Sequence, residues 1–280
     1  MALGTLWDFT RFQVRFGVRG VVSGHMDYVR CAEYPLVFQH LAPQRGGLLL
    51  DVGSGHSHFP LYVASRTPTA VVALDPSDWV LWQRDVASRF VRRQIVPPGR
   101  LRVVLGDAQR APFPDGQFDY ISAISTIEHV EGKGDSLVMQ ELGRVLKPGG
   151  RLVLTVPYNY ERYRDFWVTD DTYTAAFRGT PLFYQRHYDD HALAKRLVEP
   201  SGLKLTKKVI FGEPGTRCFN TLFANSRLPV WLKAPYLWLT PLFARQFLRV
   251  LRPEEIRTKD DLPMITTEGA LLVLEKPLGQ

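Results

Sequence analysis

Short apolar runs alternate with amphipathic segments through the middle of the chain, and their spacing predicts strands and helices in turn. Gly47 to Val52 reads as a buried strand, stopped by Gly53, Ser54 and Gly55. His58 to Arg66 has the helical period, Ala70 to Asp75 is a second strand, and Trp79 to Gln94 a helix closed by Pro97, Pro98 and Gly99. Leu101 to Leu105, Phe118 to Ile124 and Arg151 to Val156 complete five strands, with a helix over Leu137 to Leu146 and a turn at Lys147 to Gly150. Such alternation implies a parallel sheet with helices on both faces, because parallel strands need crossover connections. Ligands of such sheets lie at the carboxyl ends of the strands, so functional residues belong in the loops just after them.

The rest of the pattern is less regular. Pro157 to Tyr188 is aromatic and polar, an insertion over the carboxyl edge of the sheet, and Asp189 or Asp190 can cap a helix reaching about Glu199. Leu203 to Phe211 and Gly269 to Glu275 read as two more strands around a long insertion at about 212–266. The expected domain plan is an N-terminal helical cover over 1–44 and one α/β domain over 45–280, with insertions at about 157–188 and 212–266.

Composition adds few exclusions. With 280 residues, 45% hydrophobic and 12% aromatic, the chain has enough apolar surface to fold as one elaborated domain, which argues against disorder. Cys31 and Cys218 have no second Cys or His at ligand spacing, so no metal site is expected from them; buried free thiols in a reducing cytoplasm are expected. The net charge of +7 is unevenly placed: no acid lies between Glu213 and Glu254, where Arg217, Arg227, Lys233, Arg245, Arg249 and Arg252 stand. A field of that sign attracts phosphate, anionic lipid or nucleic acid without choosing among them.

Three acids mark three strand tips. Asp51 precedes Gly53, Ser54 and Gly55, where glycines permit a tight turn and close approach of a ligand to the main chain. An acid in that loop disfavours a phosphate and suits a positively charged ligand. Asp75 ends the second strand, where a carboxylate can hold both ribose hydroxyls, and Pro76 follows it. Asp107, between Gly106 and Ala108, ends the third, where it can accept from an adenine amino group, and Ser125 lies just past the fourth.

Together LLLDVGSGHS, VVALDPS, LGDAQRAPFPDGQFDYISAISTIEHV and ELGRVLKPGGRLVLTVPY strongly resemble the class I S-adenosylmethionine-dependent methyltransferases of the small-molecule branch, over about residues 45–158. The resemblance implies a Rossmann-like, seven-stranded, mostly parallel sheet with helical insertions, and S-adenosylmethionine as cofactor. It places Asp51, Gly53, Ser54 and Gly55 at the methionine moiety, Asp75 and Pro76 at the ribose, Gly106, Asp107 and Ala108 at the adenine, and Ser125 beside the sulfonium. Ser57 departs from it, standing where the family usually has Gly.

Methyl transfer requires an acceptor aligned behind the methyl carbon and, for many acceptors, a general base. Of His56, His58, His129 and His187, the resemblance favours His129 in Glu128-His129-Val130, with His187 second. The remaining histidines are expected in packing roles. Tyr28, Tyr158 and Tyr184 are candidates for the acceptor pocket, and aromatic packing is the competing role.

No Pro-Pro-Tyr follows the fourth strand and neither Cys follows a Pro, which speaks against nucleic-acid methylation. The expected reaction is therefore transfer to an oxygen or nitrogen of a small or lipid-linked acceptor. A catalytically silent cofactor-binding partner protein is the alternative, and an NAD(P)-dependent oxidoreductase is disfavoured by the acid-first Gly loop.

Two segments bear on location. Arg11, Arg15 and Arg19 share one helical face with Phe9, Phe12 and Phe16 on another, and residues 229–252 combine Trp231 and Trp238 with arginines at helical spacing. The uncharged core of 234–244 is too short to cross a bilayer and is interrupted by Pro235 and Pro241. These segments fit a cover over the acceptor site or a subunit interface, with the arginines as a solvated rim, or shallow contact of a cytoplasmic protein with anionic lipid.

Overall fold

The computed structural model describes residues 11–12, 29–43, 46–170, 177–214, 248–256 and 269–279. In it the alternating pattern becomes α1 (Arg30–Leu41), β1 (Leu48–Val52), α2 (Phe59–Arg66), β2 (Ala70–Asp75), α3 (Leu81–Arg92), β3 (Leu101–Leu105), β4 (Phe118–Ile124), α4 (Gly134–Val145) and β5 (Leu146–Pro157). Then come the hairpin strands β6 (Arg164–Asp170) and β7 (Phe177–His187), a helix α5 over 190–201, β8 (Lys204–Gly212), β9 (Arg249–Val250) and β10 (Gly269–Glu275). The main sheet runs β3-β2-β1-β4-β5-β10-β8-β9. Its first five strands are parallel, and β10 is antiparallel to both of its neighbours.

Strand residues alternate between two cores. Leu49 and Val71 join Tyr62, Phe90 and Leu36 from α1, α2 and α3 on one face. Leu50 and Val72 join Val138, Leu142 and Leu197 from α4 and α5 on the other. Burial on both faces explains why these strands read as continuous apolar runs rather than alternating ones. Phe12 is buried edge-on against Tyr62, with ring centroids 5.3 Å apart, while Arg11 beside it is exposed. Of the N-terminal cover, α1 and residues 11–12 are described; Arg15 and Arg19 lie outside the described residues.

Three expectations are corrected. The main sheet has eight strands among the described residues, because Arg249 and Val250 pair with Gly212 and Phe211 at its edge. A two-residue strand has no period to read, and the helical spacing of Arg249 and Arg252 is not realised. Arg249 pairs with Glu255 at 2.5 Å, and Arg252 stands 4.0 Å from Glu254.

The insertion at 157–188 is a β-hairpin rather than helical. Its aromatic residues pair across strands, as Trp167 and Phe183 do edge-on at 5.6 Å, and this type of contact stabilises a two-stranded ribbon. The helix predicted after it is present, capped by the Asp189 carboxylate accepting from the Ala192 N–H at 2.7 Å. Its middle, Leu193–Val198, is wound as a π-helix.

Candidate active site

Strand order reverses between β1 and β4, so the loops after these strands diverge and leave a crevice at their carboxyl ends. A cavity of about 700 Å³ opens there. All ten residues expected to hold the cofactor line it: Asp51, Gly53, Ser54 and Gly55 after β1, Asp75 and Pro76 after β2, Gly106, Asp107 and Ala108 after β3, and Ser125 after β4.

The Gly loop is held from below. Asp51 is 2% exposed and accepts from the Ser122 hydroxyl at 2.5 Å and the Ser54 hydroxyl at 2.6 Å. Burial pushes its carboxyl up to about 6 against the opposing pull of those two hydrogen bonds. Gly53 adopts φ +68°, and a Cβ there would run into the side chain of Thr126. Only a glycine fits both the turn and the contact.

Asp75 accepts from the Gly55 N–H at 2.9 Å and the Ser77 N–H at 2.8 Å, one bond on each oxygen. The lone pairs left on a carboxylate suffice for two ribose hydroxyls. Burial raises its pKa despite those bonds. The exposed Asp107 accepts from the Gln109 N–H at 2.8 Å and lines the cavity. At the rim, His56 stacks on Trp79 with ring centroids 5.4 Å apart.

The two candidate bases separate. His129 lines the cavity; its Nδ1 is 2.7 Å from the Tyr184 carbonyl oxygen on β7. A carbonyl only accepts, so Nδ1 carries the proton and Nε2 the lone pair. Burial lowers the His129 pKa, opposed by the bond to Tyr184, and keeps the ring neutral. His187 is not brought to the cavity. It is buried at the base of the hairpin, packed against Phe166 at 4.2 Å with its Nε2 2.9 Å from Gln185 Nε2. Burial, then the charge of Arg164, depresses its pKa to about 3.

The other singled-out residues are placed as follows. His58 stacks on Trp82 in the core, Tyr158 donates to Asp190 at 3.0 Å, and the Tyr184 ring meets His129 edge-on; none of the three lines the cavity. Cys31 is buried. Tyr28, Cys218, Trp231 and Trp238 lie outside the described residues, as does most of 229–252.

Several participants escaped the sequence reading. Arg30, Glu33 and Tyr34 come from α1, and Arg30 and Tyr34 line the cavity. Tyr34 accounts for the departure at Ser57, whose hydroxyl donates to the Tyr34 oxygen at 3.1 Å and accepts from the Phe59 N–H at 3.1 Å. Gln83 of α3, fully buried, donates its amide to the carbonyls of Ser57 and Gly55 and so fixes the loop from the side. A signal for Gln83 existed: it stands at helical spacing with the buried Val86, Ala87 and Phe90, a polar residue on an apolar stripe. No local signal marks the α1 residues.

Residues 50–154 match the family model described as a methyltransferase domain. Over that stretch the chain is similar to methyltransferases. The methyltransferase GfsG of Streptomyces halstedii is 33% identical over 118 residues, which are 42% of this chain and 40% of that protein. The ubiquinone/menaquinone biosynthesis C-methyltransferase UbiE of Azotobacter vinelandii is 33% identical over 113 residues, 40% of this chain and 42% of that one. The chain thus spans less than half of these curated relatives.

Among solved structures, the 4+2 cyclase SpnF superposes with a TM-score of 0.56 at 21% identity, covering 88% of this chain and 80% of that one. The 1,6-didemethyltoxoflavin-N1-methyltransferase of Burkholderia thailandensis, solved with S-adenosylhomocysteine, gives 0.53 at 14% identity, covering 98% and 88%. At these identities the likeness is one of fold. The cavity fits S-adenosylmethionine on its own residues: a glycine cradle that a Cβ would fill, and three carboxylates at successive strand tips.

Proposed function

We propose that the protein transfers a methyl group from S-adenosylmethionine to an oxygen or nitrogen of a small or lipid-linked acceptor, with His129 as general base. The cofactor, when bound, supplies an electrophilic methyl group on a sulfonium. Asp75 would hold the ribose hydroxyls and Asp107 the adenine amino group, while Asp51 and the Gly loop would orient the methionine moiety. Arg30, a cation in the lining, offers a partner to its carboxylate.

The observation that carries the base assignment is the bond from Nδ1 to the Tyr184 carbonyl. It assigns the proton to Nδ1 of a ring lining the cavity, so that Nε2, 3.9 Å from Glu128 Oε1, is the nitrogen that would take the proton of an O–H or N–H acceptor. S-adenosylhomocysteine release with a panel of phenols, amines and isoprenoid-linked acceptors tests the reaction. Turnover that depends on His129 supports it; cofactor binding without turnover on any acceptor favours a silent partner protein.

A lipid-linked acceptor draws support from the aromatic and acid-free segment around Trp231 and Trp238. Flotation with anionic vesicles at low and high salt tests that contact, and no binding at low salt removes it.

A further inference from the structure

Three hydroxyls that line the cavity spend their protons on the protein. Ser54 donates to Asp51 at 2.6 Å, Thr126 to the Ile124 carbonyl at 3.1 Å, and Ser125 to Glu33 at 2.7 Å. The third of these bonds is unusual in its construction. Glu33 comes from α1, 92 positions away in the chain, is 2% exposed, and is ion-paired with Arg30 at 2.5 Å. A carboxylate so paired is ionised and only accepts, so the single Ser125 proton points at Glu33.

Ser125 is itself held in an uncommon conformation, with φ +43° and its N–H bonded to the Thr155 carbonyl at 3.0 Å. A non-glycine residue in the left-handed region costs free energy and persists where its surroundings impose it. Its backbone is pinned on one side and its hydroxyl on the other, which fixes the oxygen at the cavity wall. Two lone pairs remain on that oxygen and no proton.

From this geometry we infer that Glu33 is a positioning residue that makes the Ser125 hydroxyl an obligate hydrogen-bond acceptor, so that the site selects an acceptor whose reacting atom bears a hydrogen, an alcohol, phenol or amine. This deepens the methyl-transfer reading and rests on it, since Ser125 is placed beside the sulfonium by the family resemblance. An O–H or N–H held by Ser125 would be oriented for in-line attack, and the proton then leaves to His129: an amine has a hydrogen for each, whereas a hydroxyl must turn its one hydrogen from Ser125 to His129 as its oxygen bonds the methyl carbon. A carbonyl or ether oxygen in the same place would face lone pairs and be rejected, because a buried acceptor left without a donor is costly.

Sinefungin tests the inference without knowledge of the acceptor, because it carries an ammonium where the cofactor carries its methylated sulfur. It places a hydrogen-bond donor where the methyl group would be. Calorimetry of sinefungin and S-adenosylhomocysteine should give sinefungin an advantage of about tenfold or more, as expected for a charge-assisted bond in a buried site. In Ser125→Ala the advantage should fall to within about threefold. In Glu33→Gln it should fall by at least about threefold, because the hydroxyl regains freedom to turn its proton inward.

Using the ratio within each variant cancels any general weakening of the fold. Equal affinities in the wild type, or an advantage unchanged in Ser125→Ala, would overturn the inference while leaving the cofactor assignment standing. Binding of neither compound to the wild type would overturn the cofactor assignment as well.

Discussion

Glu128 follows β4 by four residues, is 1% exposed, and has an Oε2 with no hydrogen-bond partner among the described residues. Burial pushes its carboxyl from 4.5 up to about 8, reinforced by nearby Glu33 and opposed by Arg30 and Arg186. Glu128→Gln replaces the neutral acid by a neutral isostere that cannot ionise. Ionising Glu128 in the folded protein is harder than in the unfolded chain by about 5 kcal/mol, given a pKa moving from 4.5 to about 8. Below pH 4.5 both states are protonated and the penalty is absent. Between 4.5 and about 8 the folded state keeps a proton that the unfolded state has lost, so stability falls by about 1.4 kcal/mol for each pH unit gained.

The variant is free of this penalty. Relative to the wild type, it should gain little at pH 5, about 3 kcal/mol at pH 7, and about 5 kcal/mol above pH 8. Urea unfolding followed by tryptophan fluorescence at pH 5, 6, 7 and 8.5 measures the difference. Because only the difference is used, the contribution of Asp51, which titrates near 6, cancels. Parallel stability curves for the two proteins, or a variant less stable than the wild type at pH 8.5, would refute the reasoning.

Three further outcomes are expected. His129→Ala should lower S-adenosylhomocysteine formation by roughly 10²- to 10⁴-fold with little change in cofactor affinity, and the wild-type rate should hold below pH 6.5 because burial lowers the His129 pKa. A wild-type rate that halves at pH 6.5 or above speaks against this base. Cofactor affinity measured by calorimetry should weaken from pH 7.5 to pH 5 as Asp51, near 6, takes up a proton; a flat profile removes its charge from the binding argument. Gly53→Ala should abolish cofactor binding, since the new Cβ meets Thr126 and the positive φ adds about 1–2 kcal/mol of strain; retained affinity in a folded variant would contradict the close-approach role.

The sequence alone determined the parallel core of the fold and one side of the cavity. Period, strand-stopping glycines and acids at strand tips are local properties, and the loops after β1, β2, β3 and β4 lie at one edge because every strand there runs the same way. The ten cofactor candidates therefore came together as a set. The resemblance ranked His129 above His187, and three dimensions separated them outright: the fold made one a cavity residue and buried the other beside Phe166.

The hairpin itself was misread as helical because aromatic residues suit either element until a partner strand is known. Glu33 and Tyr34 were invisible for the same reason. Within α1 they are two polar-tipped residues in a helix, and only the packing of that helix brings them to Ser125 and Ser57, far along the chain. Strand tips are specified by neighbours in sequence, whereas the protonation and orientation of groups in the cavity depend on contacts between distant segments.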